Sequence, residues 1–115
     1  RERLRPKESD EIKILSFPQG SQWRAWRANT FASIVSAAGR QEDLAQEWIL
    51  RVEADDPAEL GYPGEGWVSL DRKLAAALTN IAHGEVGREI TQMTTTCLNN
   101  NKAARGRVLL AIAFR

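Results

Sequence analysis

A single cysteine, Cys97, and a single histidine, His83, are all that 115 residues contain of those two types. One cysteine excludes an internal disulfide and a cysteine-built metal site. One histidine excludes the two-histidine zinc motifs. Neither Gly-x-x-x-x-Gly-Lys-Ser/Thr nor Gly-x-Ser-x-Gly occurs, so two common catalytic signatures are missing. The longest apolar runs, Leu74–Leu78 and Val108–Phe114, fall far short of a bilayer span. The opening Arg-Glu-Arg-Leu-Arg holds no apolar stretch of the signal-peptide kind, which predicts a cytoplasmic protein. Sixteen Lys and Arg against fifteen Asp and Glu leave +1, so no bulk charge marks a nucleic-acid or membrane binder. The expectation is therefore no enzyme, no cofactor, no metal, no membrane partner and no small-molecule substrate. A pair of isolated carboxylates is the one acid/base arrangement that would leave no short motif.

The length suits one domain, and 43% hydrophobic with 27% charged residues is ordinary for a globular protein. Residues 1–12 read as a polar tail, with Pro6 breaking any helix. Ile12, Ile14, Leu15 and Phe17 then form a short strand or extended arm before Pro18 and Gly20. Ser21 is a good N-cap and Gly39 a good C-terminal stop; between them Trp23, Trp26, Thr30, Ile34 and Ala38 recur at helical spacing, widened by Phe31 and Val35. A second helix, 42–52, presents Leu44, Ala45, Trp48, Ile49 and Val52 on one face. Asp55-Asp56-Pro57 ends it, and Gly61-Tyr62-Pro63-Gly64-Glu65-Gly66 reads as loop. Ser69 caps a third helix carrying Leu70, Leu74, Ala77, Leu78 and Ile81, which His83-Gly84 closes. A fourth, 85–97, turns Val86, Ile90, Met93 and Cys97 inward despite its β-branched Thr94-Thr95-Thr96 run. A last helix from about Lys102 carries Val108, Leu109, Ile112 and Ala113 past a weakening Gly106. No period-two strand competes, so the chain is predicted to be all-α, a bundle of about five helices over 13–115.

The groups able to do chemistry each have an ordinary structural explanation. His83 sits where two helices meet, and turn or cap chemistry accounts for it. The Gly-rich loop lacks the Lys and Ser/Thr of a phosphate cradle and adjoins acidic residues that repel phosphate. Trp23-Arg24-x-Trp26-Arg27 has the aromatic-and-arginine mixture of single-strand binders, yet helical spacing turns both indoles to the core and leaves Arg24 and Arg27 at the surface. Lys102, Arg105 and Arg107 form a small basic cluster, the candidate nucleic-acid contact, with a solvated surface as the plainer reading. Cys97 shares its helical face with Met93 and Ile90 and reads as core.

Phe17-Pro-x-Gly-x-x-Trp-Arg-x-Trp-Arg, followed by Phe31 and Val35, resembles the start of the capsid region of Gag from copia-type long-terminal-repeat retrotransposons. Leu70-Asp71-x-Lys73-Leu74-x-x-x-Leu78-x-x-x-Ala82-x-Gly84-Glu85-Val86-x-Arg88-Glu89-Ile90 looks like the middle helices of that family, and Gly106-Arg107-x-Leu109-Leu110 like the segment before the second half of such capsids. The resemblance spans roughly 13–115 and implies an N-terminal capsid lobe that assembles with copies of itself into a virus-like particle around element RNA. It implies that RNA is gripped mainly by a basic tail or a Cys/His knuckle, neither of which stands in this sequence.

Charge is uneven along the chain. Residues 40–66 hold eight acidic against two basic residues, a net −6, between basic flanks of +3 and +4. Separated patches of opposite sign suit contacts between copies. The expected assembly surface therefore joins Glu42, Asp43 and Glu47 to Arg24, Arg27 or the Arg105–Arg107 stretch of a neighbour. Two rivals stand beside this structural role: a helical protein-interaction domain, such as a host-adopted Gag relative, and a small nucleic-acid-binding helical domain.

Overall fold

The computed structural model describes residues 8–18, 20–39, 42–55 and 57–114. Among these the chain is all-α: five helices of nine residues or more and one short helix, without a β-strand. Helix α1 spans Trp23–Ala38, α2 Glu42–Leu50, α3 Pro57–Leu60, α4 Val68–Asn80, α5 Gly84–Asn99 and α6 Gly106–Phe114. Helix α1 packs on α2, and α4 lies against α6, which also meets α5. No helix among the described residues is long and apolar enough to cross a membrane.

The stripes read from the sequence are the faces that pack. Trp26, Thr30, Phe31, Ile34 and Ala38 of α1 are buried, with Trp23 and Val35 half-buried beside them. Leu74, Leu78, Ile90, Leu109 and Leu110 are wholly enclosed, each worth roughly 1.5–3 kcal/mol of burial. Gly39 ends α1 at φ 68°, the left-handed conformation that a helix stop requires. Thr94 holds its place in α5 by donating its hydroxyl to the Ile90 carbonyl at 2.9 Å, four residues back.

Several local expectations are corrected. Ser21 does not cap α1; it lies in a 3₁₀ turn, Gly20–Gln22, that leads into the helix. Ser69 lies inside α4 and donates to Glu8 at 2.7 Å instead of capping. Leu44 faces outward at 49% exposure, while α2 turns Ala45, Trp48 and Ile49 into the core. Cys97 and Met93 are half-buried, leaving Ile90 and Gly87 as the enclosed residues of α5. The last helix begins at Gly106, not Lys102. There the backbones of α4 and α6 come so close that a Cβ on Gly106 would lie 2.3 Å from the Asp71 carbonyl oxygen. The glycine that weakens a helix in isolation is what lets this one dock.

Residues 1–7 of the expected polar tail lie outside the described residues. The rest of it is fastened down: the Ser9 amide donates to the Ala37 carbonyl at 2.9 Å, and Lys73 reaches both the Ser9 carbonyl at 2.6 Å and Glu8 at 2.7 Å. Ile12 and Phe17 are buried, so this extended arm belongs to the core.

Candidate functional site

Two aromatic assemblies organise the polar chemistry. In the first, Phe17, Trp23 and Trp26 meet at 5.3–6.1 Å between ring centres, and Phe114 stands edge-on to Trp26 and Phe31. The Trp26 indole donates to the Leu15 carbonyl at 2.8 Å, which satisfies its buried N–H and pins the arm. In the second, Trp48 and Trp67 stack at 4.9 Å and 9°. The Arg107 guanidinium lies 4.9 Å over Trp48 and donates to the Trp48 carbonyl at 3.1 Å and the Tyr62 carbonyl at 2.9 Å. The Trp48 indole donates in turn to the Pro63 carbonyl at 2.9 Å. The glycine-rich loop is thus bolted to α2 and α6.

Asp71 is wholly buried on α4, and its carboxylate accepts the Gly106 amide at 2.9 Å and the Arg107 amide at 3.0 Å. One helix supplies the N-cap of another. Burial pushes the Asp71 carboxyl up, against the two amide bonds and the charges of Arg107 and Arg105, which pull it down. Burial likewise pushes Arg107 down, opposed by Asp71 and Asp55.

On the outside, Trp23, Val86, Ala113 and Phe114 floor a groove of about 740 Å³ whose rim is Arg24, Arg27 and Glu53. Arg27 grips Glu53 with two parallel bonds of 2.5 and 2.6 Å. That bond raises the arginine and lowers the glutamate from their ordinary values. Among the described residues no group of three or more His, Cys, Asp or Glu is placed to hold a metal ion.

The chain matches no family model, no curated protein and no solved structure.

The predicted site residues separate accordingly. Arg107 is removed from the basic cluster: at 4% exposure, with its guanidinium committed to two carbonyls and an indole face, it cannot meet a phosphate. Lys102 is exposed and Arg105 half-buried, so those two remain at the surface. Arg27 is already paired within the molecule, whereas exposed Arg24 has no partner among the described residues. Asp43 and Glu47 are exposed on α2, where Glu42 is the first residue. His83 has the structural role expected of it: it occupies the extended position before α5, its Nδ1 lies 2.9 Å from the Ile81 carbonyl, and its ring packs 5.7 Å from Phe17.

Sequence reasoning missed Asp71, a carboxylate within the third apolar stripe. That position was itself the signal, since an acid on the inward face of a helix needs donors from elsewhere in the fold.

Proposed function

We propose that this chain is a structural domain that associates with copies of itself, the N-terminal capsid lobe of a copia-type retrotransposon Gag that builds a virus-like shell around element RNA. One observation carries the structural role. The buried charged groups, Asp71 and Arg107, are spent on joining α4, α6, α2 and the glycine-rich loop into one stiff body. Rigid subunits suit a lattice, because little conformational freedom is lost when they join. The sequence likeness to Gag supports the capsid assignment, and the acidic and basic stretches support contacts between unlike surfaces. On this reading the domain works in the cytoplasm, without catalysis, and RNA is held mainly by other regions.

Light scattering across a concentration series, with electron microscopy of the concentrated sample, tests the reading. The expected result is a mass that rises with concentration and falls with added salt. A protein that stays monomeric throughout overturns it.

A further inference from the structure

We infer that copies of this chain join head to tail, Tyr62 of one copy seating in the groove between Trp23 and Phe114 of the next. This rests on the self-association reading above and names its contact.

Tyr62 is 71% exposed, the highest of the large hydrophobic side chains among the described residues. Its backbone is nevertheless fixed, since Arg107 holds the Tyr62 carbonyl and Trp48 holds that of Pro63. A ring presented from a braced loop loses little freedom on docking, and tyrosine is among the residues that most often anchor interfaces. Exposed Glu59 and Glu65 flank it.

The groove offers the complement. Its floor is aromatic and aliphatic, and its volume lies in the range of about 300–1,000 Å³ that takes organic groups. Exposed Arg24 stands on its rim without a partner among the described residues, while Arg27 is held by Glu53. An acidic knob therefore faces a hole with an uncommitted cation.

Knob and hole lie at opposite ends of α6. Arg107 near its start holds Tyr62, and Phe114 at its end lines the groove, about 10 Å further along the helix axis. Unlike patches at different places on one body make a contact that repeats, closing into a ring or continuing as a lattice.

The test uses two variants whose altered side chains are exposed, Tyr62→Ala without the knob and Arg24→Glu with a repelling hole. Each is checked for native circular dichroism. Each alone is expected to associate at least about tenfold more weakly than the parent protein. Mixed in equal amounts they are expected to form a 1:1 dimer that grows no further, because the knob of Arg24→Glu meets the intact groove of Tyr62→Ala. If the parent associates and both variants do so equally well, this contact is wrong and self-assembly stands. If both weaken but the mixture forms no dimer, the head-to-tail pairing is wrong. If the parent protein never associates, both this contact and the reading beneath it fall.

Discussion

The carboxylate of Asp71 accepts the backbone N–H of Arg107 at 3.0 Å, and so caps a helix that enters the fold 36 residues further along the chain. The same Arg107 sends its side chain the other way, onto Trp48 and the Tyr62 carbonyl. One position therefore links α4, α6, α2 and the loop, and the first predictions concern it.

Asp71→Ala leaves two buried amides without an acceptor and is expected to cost about 2–3 kcal/mol of folding stability. Asp71→Asn keeps one oxygen acceptor and should cost about 1 kcal/mol. Urea unfolding of the two variants checks the order.

The pH dependence separates two carboxylates of opposite sign. Asp71 is raised above its ordinary value of 3.8, so between that value and its native one the folded state binds more proton than the unfolded. Its contribution to stability is present at low pH and lost as pH rises through the native value. Glu53 is lowered from 4.5, so its contribution is present above that value and lost as pH falls through its native one. Urea midpoints from neutral to acid pH should move in favour of the parent protein when it is compared with Asp71→Asn, and against it when compared with Glu53→Gln. The Glu53 effect is the smaller, since the Arg27 pair is largely solvated.

Arg107→Lys preserves the charge but not the planar fork that reaches two carbonyls and covers an indole. The expected loss is roughly 1–3 kcal/mol, with a change in tryptophan fluorescence as Trp48 loses its cover. An unchanged unfolding midpoint would contradict the bracing role.

Thr30 is 2% exposed, and its hydroxyl has no hydrogen-bond partner among the described residues. Thr30→Val keeps the shape and removes a desolvated polar atom, so it should raise stability by about 1 kcal/mol. Calorimetry should record a higher Tm; a fall of similar size would reveal a bond to that hydroxyl.

The helices could be read from the sequence because their determinants are local. Trp26, Thr30, Ile34 and Ala38 mark their own face, and Gly39 marks its own turn. The caps could not. Ser21 and Ser69 are of the residue type that favours an N-cap, yet the first lies in a 3₁₀ turn and the arm at Glu8 claims the second. The start of α6 depends on Asp71, far along the chain, so a count from Lys102 ran a turn early. Arg105 and Arg107 look alike as sequence and differ in the fold, because α6 turns one inward. The groove was half legible: Trp23, Arg24 and Arg27 stood out as a motif, but Val86 and Phe114 reach them only through packing.

The extended arm also behaves as a cover strip. Its Phe17 lies over the indoles of Trp23 and Trp26, and its Leu15 carbonyl occupies the Trp26 N–H. A protease that nicked the chain between Ser9 and Leu15 would free that strip to peel away. The five long helices would remain, but with a broad oily scar across α1, and the clipped protein should precipitate at concentrations where the intact one stays in solution.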